Sequence, residues 1–519
     1  MSQPPRRGRV AAPSLGAGIL LALSLPPWGW WPLGLVGAAV LYWRLGALPV
    51  RTRAWSGWLT GIGAYTIGLF WARAFNWYGA LALVVAEALF MAAAAAATPP
   101  GRGRGLGFVG ACTLAEAARM SWPFGGLPLG GLFLGQADGP LVELARLGGP
   151  LLVTAGVYAG GVALATLACW VRAHLGYAPS ATSSTTPSPL RAVVVAAGVA
   201  VLVVAGAVAP DGGPPVRTLR VALVQGGGRR GLSKEQVPAS TVYQAQLAAT
   251  GAIRSTGDTG DTGDTGGRAP ADPSLESPEL VLWPEDVVAL DQPLAGSPEA
   301  AQLSRLAARL RTTLVVGVTE PATPSTFRNE VVAWGPHGRV VGIFEKVHRV
   351  PFGEYVPYRS LVAHVANLSG VPLDAVPGRG SGLLRTPAGP LGLLVSFEVF
   401  YAGRSHASVR AGAQLLAVPT NTSSYSTSQV PSQEVAAAVM QAVETGRDLV
   451  QAAPTGYSAV ITQRGVVVAR SALGRRQVLV ATVALRRGMT PYDHWGDLPV
   501  LVLAACALAA GWIRQWRYS

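Results

Sequence analysis

The sequence predicts a chain of two parts, a bundle of about eight membrane-spanning helices and an extramembrane α/β domain. Half of the 519 residues are apolar and only 13% are charged, which is unusual for a soluble protein of this size. Eight apolar segments approach the roughly 20 residues that a bilayer requires. Between the seventh and the eighth, short apolar strands alternate with amphipathic helices, a pattern typical of α/β domains.

Seven of the apolar segments precede residue 212, and the eighth lies near the C-terminus. We therefore predict a transmembrane helical domain at 1–212, an extramembrane domain at 213–494, and a last transmembrane helix with its tail at 495–519. Residues 251–273 repeat Thr-Gly-Asp triplets and are predicted to be a low-complexity insertion. The predicted spans are 11–26, 31–47, 55–74, 77–97, 106–121, 149–171, 190–209 and 496–513.

The arginines of the connecting loops predict the topology. If the N-terminus is cytoplasmic, the cytoplasmic connections are rich in arginine, whereas short outer connections such as PPWGWW carry almost no charge. This positive-inside bias places residues 212–495 outside the cytoplasm and both termini inside, in a multi-pass protein of the cell membrane. The arginines on the cytoplasmic side are Arg6, Arg7, Arg9, Arg44, Arg51, Arg53, Arg102, Arg104, Arg172, Arg191, Arg514 and Arg517.

Charge and cysteine content argue against several other classes of protein. The formal net charge is +14, but the arginines form no stripe or basic helix, so nucleic-acid binding is not expected. A cleaved signal peptide is disfavoured because further apolar segments follow at once. Cys112, Cys169 and Cys506 all lie within predicted spans, so we expect no disulfide framework, no metal site and no cofactor.

Buried strands of the α/β domain are predicted from short apolar runs, and three of its helices from apolar residues at helical spacing. The helices are expected at 297–310, 406–413 and 431–448. The strands are expected at 219–226, 279–284, 312–318, 328–336, 339–346, 391–395, 414–421 and 448–454.

Three of these strands each end in one reactive side chain. Glu285 follows ELVLWP, Lys346 ends GIFEK, and Ser396 follows LGLLV. Together they supply a base, a cation for a developing oxyanion and a nucleophile, as acyl transfer requires. Burial would raise the pKa of Glu285 toward neutrality, which suits a base. The backbone N–H of Phe397 is the expected second donor to the oxyanion.

Lysine is rare in this chain. Only Lys234 and Lys346 are lysines, against 39 arginines. An ammonium and a guanidinium differ in shape and in their capacity to lose a proton. The lysine at 346 therefore indicates that a guanidinium would not serve at that position, although chance would give the same pattern.

These segments resemble the nitrilase (carbon–nitrogen hydrolase) superfamily, and most closely the apolipoprotein N-acyltransferase family. The similarity runs through SLPPWGWWPLG and PFGGLP in the first domain, and through WPED, EKVHRVPFGEYVP, SFEVFY and AVPTNTSSY in the second. It implies a nitrilase-like α-β-β-α sandwich outside the membrane. It also implies transfer of an acyl chain from a membrane phospholipid, through an acyl-enzyme, to the N-terminal cysteine amine of diacylated apolipoproteins.

The resemblance also implies roles for individual residues. Glu285 would be the base, Lys346 the oxyanion ligand and Ser396 the nucleophile. Supporting carboxylates and loop residues near the site would be Glu354, Glu398, Asn421 and Tyr425. A polyprenol-phosphate mannosyltransferase is a conceivable partner in the membrane.

The chain departs from the family at the nucleophile, where the family has cysteine and this chain has Ser396. A thiol has a pKa of about 8.5 and ionises far more readily than an alcohol. Two functions therefore remain open: a serine-dependent acyltransferase, and a catalytically weak or inactive homologue that acts as a membrane scaffold or lipoprotein-binding protein. A hydrolase of small amides is disfavoured because it needs no membrane anchor. Tyr425 also replaces the tryptophan usual in that loop.

Overall fold

The structure, a computed structural model, describes residues 7–46, 48–74, 76–175, 188–228, 237–254, 278–364, 367–425 and 428–517. The predicted insertion at 251–273 lies outside the described residues from position 255 onward, and so does Lys234. The chain forms two compact units, Met1–Pro210 with Thr490–Ser519, and Asp211–Met489.

The first unit is helical, and one helix lies at each of the eight predicted apolar segments. The helix α6 is interrupted at Gly148 and Gly149, where the backbone leaves the helical region directly before Pro150. The helices are α1 (Arg7–Leu23), α2 (Pro32–Leu45), α3 (Val50–Gly68), α4 (Trp77–Ala97), α5 (Arg104–Arg119), α6 (Ala145–His174), α7 (Pro189–Val208), α13 (Pro491–Trp495) and α14 (Leu498–Trp516).

Four segments of this unit are long and apolar enough to cross a membrane: α4, the stretch 140–174 that contains α6, and the helices α7 and α14. The helices α1 and α2 are apolar but shorter. The chain is therefore a membrane protein by its apolar helices, while the number of eight spans and the side of each terminus stay predictions.

A buried ion cluster lies where α4 and α5 meet. The Arg119 side chain is fully buried, and its guanidinium contacts Glu116 Oε1 at 2.7 Å and Glu87 Oε2 at 3.2 Å. The pairing of Glu116 with Arg119 is the one expected from their spacing of three residues on a helix. Glu87 contacts Arg119 from the neighbouring helix α4.

The second unit contains two mixed sheets. The first has the order β14-β1-β2-β4-β5-β6, with β3 beside β4 and β7 beside β5, and the second has the order β13-β12-β11-β10-β9-β8. The strands are β1 (Arg217–Gln225), β2 (Leu280–Leu282), β3 (Val288–Ala289), β4 (Thr313–Thr323), β5 (Thr326–Trp334), β6 (Val340–Glu345), β7 (Asp374–Ala375), β8 (Leu383–Thr386), β9 (Gly389–Leu393), β10 (Leu415–Pro419), β11 (Leu449–Ala452), β12 (Ala459–Ile461), β13 (Val467–Arg470) and β14 (Gln477–Leu485).

The two sheets pack face to face with helices outside them. One core cluster combines residues of both sheets, for example Val331 and Phe344 with Leu391 and Val395. A second cluster lies between the first sheet and its two outer helices. The helices of this unit are α8 (Ala239–Thr250), α9 (Pro298–Leu310), α10 (Arg359–Val362), α11 (Ala402–Arg410) and α12 (Val430–Thr445), of which α11 and α12 contact the second sheet.

Each of the two sheets contains parallel strands, and reactive side chains follow the ends of two of them. β2 runs parallel to β1 and β4, and β10 runs parallel to β9 and β11. Parallel strands end at the same edge of a sheet. The segment that follows β2 in the first sheet carries Glu285, and the segment that follows β9 in the second sheet carries Ser396.

Candidate active site

Lys346 lies at the centre of a buried cluster at the end of β6. Its side chain is almost fully buried, and Nζ donates to Glu285 Oε1 at 2.9 Å and to Glu354 Oε1 at 3.0 Å. Its backbone N–H donates to the carbonyl of Asn329 at 2.9 Å, which extends the pairing of β6 with β5. The structure therefore brings three of the predicted site residues into direct contact.

Asn329 is a fourth member of this cluster and was not predicted. Its Nδ2 donates to Glu285 Oε1 at 2.8 Å and to Glu354 Oε1 at 2.7 Å. An amide donor between two carboxylates offsets part of their mutual repulsion without adding charge. The signal was a pair of polar residues, Asn329 and Glu330, directly before the apolar run that ends β5, and the structure buries both of them.

The position of Glu285 is set by a close approach between the turn that carries it and the backbone of β4. It follows β2 by three residues, and Asp286 after it adopts a left-handed φ of 52°. The backbone of Gly317 in β4 lies against this turn: a Cβ at Gly317 would be 2.4 Å from the carbonyl oxygen of Pro284 and 2.5 Å from Glu285 Cα. Only glycine fits there, so β4 sets the position of the carboxylate.

Glu354 is held in the loop after β6 by backbone and side-chain contacts. Its Oε2 accepts the N–H of Val350 at 2.7 Å, and its carbonyl accepts the N–H of Ala375 at 2.7 Å. The guanidinium of Arg359 binds both carboxylate oxygens of Asp374, at 3.0 and 2.6 Å, further along the same loop. Bidentate pairs of this kind fix the geometry of the segments that they join. The loop therefore holds the Glu354 carboxylate in a fixed position against Lys346.

Ser396 occupies a strained turn that follows β9. Its φ is 52°, in the left-handed region that costs a non-glycine residue about 1 kcal/mol or more. The residue is half-buried and begins a short 3-10 helix, Ser396–Phe400. Such strain persists where surrounding contacts enforce it, and it directs a side chain out of the regular strand path.

The contacts that enforce this turn come from Glu398. Its carboxylate is fully buried, with Oε2 accepting the N–H of Val395 at 2.9 Å. Its Oε1 accepts the N–H groups of Val347 and His348, both at 3.0 Å. One carboxylate thus joins the residue before Ser396 to the residue after Lys346, which ties the predicted nucleophile to the ion cluster.

Burial and neighbouring charges raise the pKa values of both Glu285 and Lys346. Burial raises the pKa of the Glu285 carboxyl, and Lys346 and the amide of Asn329 oppose that shift. Burial by itself would lower the pKa of the Lys346 ammonium, but Glu285 and Glu354 outweigh it and raise the pKa. Lys346 therefore remains a cation, and Glu285 is a more basic carboxylate than one in water, which suits the roles predicted for them.

Asn421 and Tyr425 belong to the loop that follows β10. Asn421 Oδ1 accepts the N–H of Ser423 at 3.2 Å, and the Tyr425 N–H donates to the carbonyl of Thr422 at 2.9 Å. Burial raises the pKa of the Tyr425 phenol, and Glu354, Lys346 and Glu285 act on it electrostatically. The role of Tyr425 near the site stays a prediction.

Glu434 of α12 is a further carboxyl near the cluster, and the sequence analysis did not predict it. It is fully buried, bonded to the hydroxyl of Thr420 and to Gln451 Nε2, the latter at 3.3 Å. Burial raises its pKa to about 8, with Thr420 opposing the shift and Glu285 adding to it. The signal was a glutamate within the apolar run SQEVAAAV; periodicity alone would have assigned it to an exposed helix face.

The arrangement brings together groups that acyl transfer uses. A base and an ammonium are in contact, and a half-buried hydroxyl is tied to them through Glu398. Among the residues described by the structure, no group of three or more His, Cys, Asp or Glu side chains is arranged to hold a metal ion. Nucleophilic attack with general-base and electrostatic assistance is the chemistry that these groups support.

Family models match both parts of the chain. The model of the apolipoprotein N-acyltransferase N-terminal domain matches residues 17–163, and the carbon-nitrogen hydrolase model matches residues 272–489. The second match assigns the carbon-nitrogen hydrolase fold to the C-terminal half, where the structure has its two mixed sheets.

Curated relatives align over nearly the whole chain. An apolipoprotein N-acyltransferase of Mycolicibacterium smegmatis is 31% identical, with 95% of this chain and 84% of that protein covered. Another, of Geobacter metallireducens, is 29% identical, with 95% and 92% covered. Among solved structures, a carbon-nitrogen hydrolase from Helicobacter pylori G27 matches with a TM-score of 0.38 and 16% identity, covering 55% of this chain and 95% of that one.

Proposed function

Because this chain belongs to the apolipoprotein N-acyltransferase family, we propose that it transfers an acyl chain from a membrane phospholipid to the N-terminal cysteine amine of diacylated apolipoproteins. The chain is an acyltransferase with a carbon-nitrogen hydrolase domain. The observation that carries the proposal is the contact of Lys346 Nζ with Glu285 and Glu354, beside a strained serine turn.

In the first half-reaction, Ser396 Oγ attacks the ester carbonyl of the phospholipid. Glu285 takes the hydroxyl proton as the C–O bond forms, and the oxyanion develops next to the ammonium of Lys346 and the N–H of Phe397. When the tetrahedral intermediate collapses, the bond to the glycerol oxygen breaks and Glu285 returns the proton to it. The products are an acylated Ser396 and a lysophospholipid.

In the second half-reaction, the free α-amine of the diacylated cysteine attacks the acyl ester of Ser396. Glu285 takes a proton from the attacking nitrogen, and the same two donors stabilise the oxyanion. Collapse breaks the bond to Ser396 Oγ, which regains its proton, and leaves an amide on the lipoprotein. Glu354 and Asn329 act on this cycle through Lys346 and Glu285, whose geometry they hold.

The serine makes both half-reactions harder than a cysteine would. The alcohol must lose its proton as it attacks, and the oxygen ester is a poorer acyl donor than a thioester. The second candidate function, a catalytically weak or inactive homologue that serves as a membrane scaffold or lipoprotein-binding protein, is favoured by this one residue.

The two functions are separated by an N-acylation assay on the full chain in phospholipid vesicles with a diacylated lipopeptide. We expect the wild type to form the N-acylated peptide, Ser396→Cys to form it at least about tenfold faster, which corresponds to 1.4 kcal/mol of the barrier, and Ser396→Ala to form none. Mass spectrometry of the wild type without acceptor is expected to find an acyl adduct on Ser396.

Each other outcome has a defined meaning. Product from Ser396→Cys but none from the wild type assigns the chain to the inactive homologue. Equal turnover by Ser396→Ala and wild type removes Ser396 from the reaction. No product from any variant rejects the transferase with these substrates.

A multi-pass topology with the α/β domain outside the cytoplasm belongs to the same proposal, and the polyprenol-phosphate mannosyltransferase partner stays a prediction.

A further inference from the structure

A groove lies on the outer face of the first sheet, where the strands β4, β5 and β6 are neighbours. Successive side chains of a strand point to opposite faces of a sheet. Asn329 and Lys346 belong to the candidate active site, so Glu330 and Glu345, which adjoin them in the chain, lie on the opposite face. The cavity of this β4–β6 groove measures about 330 Å³, at the lower end of the range for small-molecule sites.

The Glu330 side chain is buried in the β4–β6 groove without a donor of its own. The residue is 5% exposed and lines the cavity. Among the residues that the structure describes, none donates a hydrogen bond to its carboxylate or forms an ion pair with it. A buried carboxylate without a donor costs free energy, and a ligand that donates to it removes that cost.

The neighbours of Glu330 in the groove add to its need for a cation. Glu345 lies directly opposite Glu330 in the β5–β6 pair, and like charges at opposed positions destabilise a sheet. The guanidinium of Arg328 also lines the groove, but its Nε contacts Glu345 Oε1 at 3.0 Å and its Nη1 lies 3.6 Å from Glu320 Oε1. Burial raises the pKa of Glu330 to about 7, and Glu320 and Glu345 add to that shift. A bound cation would favour the ionised form of this carboxyl.

The rest of the β4–β6 groove is largely apolar. Val332 and Trp334 line it and are buried, whereas Val340 and Ile343 on the edge strand β6 are 50% and 55% exposed. Apolar surface beside a carboxylate suits a ligand that joins an aliphatic stem to a terminal cation. A bare metal ion would leave this apolar surface uncovered, so the lining favours an organic cation.

We propose that the β4–β6 groove binds a primary ammonium group on a short aliphatic stem, with the ammonium between Glu330 and Glu345 and the stem along Val332 and Ile343. A primary ammonium has three N–H donors, enough to reach both carboxylates through charge-assisted hydrogen bonds. A free alkylamine and a lysine side chain share this chemistry. Because the groove lies on the face opposite to Asn329 and Lys346, this inference does not rest on the proposed function.

The test measures thermal unfolding of the full chain in detergent at neutral pH with n-butylamine hydrochloride. The controls are 1-butanol, which has the stem without the charge, and tetramethylammonium chloride, a cation without N–H donors. We expect butylamine at about five times its dissociation constant to raise the Tm by roughly 2–4 °C, and the controls to raise it much less. Glu330→Gln should remove the butylamine effect, whereas Asp138→Asn, which changes an exposed carboxylate of the helical unit, should retain it.

Amide hydrogen exchange, followed by mass spectrometry, locates the bound amine. With butylamine we expect slower exchange in peptides from residues 326–345 and unchanged exchange in residues 459–470. The capped peptide acetyl-Val-Lys-Val-amide, with acetyl-Val-Gln-Val-amide as its control, separates the two sources of the ammonium. Tighter binding of the lysine peptide than of butylamine assigns the ammonium to a protein side chain, and weaker binding assigns it to a free amine.

An equal rise in Tm for the wild type and Glu330→Gln overturns the proposal. So does an equal rise with butylamine and 1-butanol, because the groove then binds only the apolar stem, or with butylamine and tetramethylammonium, because salt then acts without a site. Slower exchange elsewhere but not in residues 326–345 places the amine at another site and also overturns it. Since neither measurement requires turnover, a protein that fails to acylate lipopeptides still gives a clear result here.

Discussion

At the scale of a single residue, burial and the carboxylate partners of Lys346 shift the pKa of its ammonium in opposite directions. Burial alone would lower its pKa, yet contacts of 2.9 and 3.0 Å with two carboxylates raise that pKa above the ordinary value. The capacity of lysine to lose a proton is therefore not what this position uses. A compact ammonium fits between Glu285 and Glu354, whereas a planar guanidinium is larger and presents its donors in a fixed fork.

Replacement of the ammonium is expected to reduce turnover strongly. Lys346→Gln removes the charge that stabilises the oxyanion and leaves Glu285 and Glu354 in mutual repulsion, so we expect turnover to fall by about 10²–10³ and thermal stability to fall as well. The assay is lipopeptide N-acylation, in the Ser396→Cys background if the wild type is silent. The matched control Arg379→Gln removes an exposed cation and should leave turnover unchanged; equal losses would contradict the role.

Glu434 predicts a pH-dependent stability. Its pKa is about 8 in the folded chain against an ordinary value of 4.5, so between these values the folded state holds a proton that the unfolded state has lost. The free energy of unfolding therefore falls as pH rises through this window, on the order of 5 kcal/mol in all. Glu434→Gln removes this dependence, and its Tm should rise relative to wild type between pH 5 and pH 8.

A parallel Tm profile for Glu434→Gln and wild type over that range would show that Glu434 does not titrate as stated. Thr420→Val supplies a second measurement. Because the Thr420 hydroxyl lowers the pKa of Glu434, its removal should extend the loss of stability to higher pH.

At the scale of elements, strand ends and loops position the site. The apolar runs predicted that Glu285 and Ser396 come directly after their strands, whereas Glu285 follows β2 by three residues and Ser396 follows β9 by three. The strands β12, β13 and β14 were not predicted, and β14 pairs with β1 along its whole length. β13 is mostly exposed, with only Ala469 partly buried against the core, so neither a buried run nor a clean alternation identified it.

Gly317 in β4 gives a prediction at this scale. Gly317→Ala places a Cβ 2.4 Å from a backbone carbonyl of the Glu285 turn, where no flexible side chain can give way. We expect a loss of roughly 1–3 kcal/mol in stability and a marked loss of N-acylation, because the turn must shift. Gly403→Ala in α11 is the matched control, since its Cβ would meet nothing within 4 Å; equal effects of the two substitutions would refute the argument.

At the scale of the whole molecule, composition and arginine distribution carry the membrane assignment. Mean hydropathy is +0.35, and apolar helices flank the α/β unit on both sides in sequence, with α7 before it and α14 after it. A phospholipid donor is insoluble in water, so an acyltransferase that uses it gains from attachment to the bilayer. The sidedness follows only from the positive-inside bias.

Cysteine labelling in intact cells tests that sidedness. In a chain whose native cysteines are replaced by alanine, Arg339→Cys on the α/β unit should react with a membrane-impermeant maleimide without permeabilisation. Arg102→Cys, in a predicted cytoplasmic loop, should react only after permeabilisation. The reverse pattern would invert the topology.

The sequence by itself determined the division into apolar helices and an α/β part, the buried strands, and the strand-end positions of Glu285, Lys346 and Ser396, because periodicity and segment length are local properties. Only the tertiary structure decided which polar groups meet. Asn329 between two carboxylates, Glu398 joining two distant backbone segments, and Glu434 buried beside the cluster all depend on strand order and on the packing of α12. Such contacts join residues dozens of positions apart, and no local pattern encodes which of them end up within 3 Å of each other.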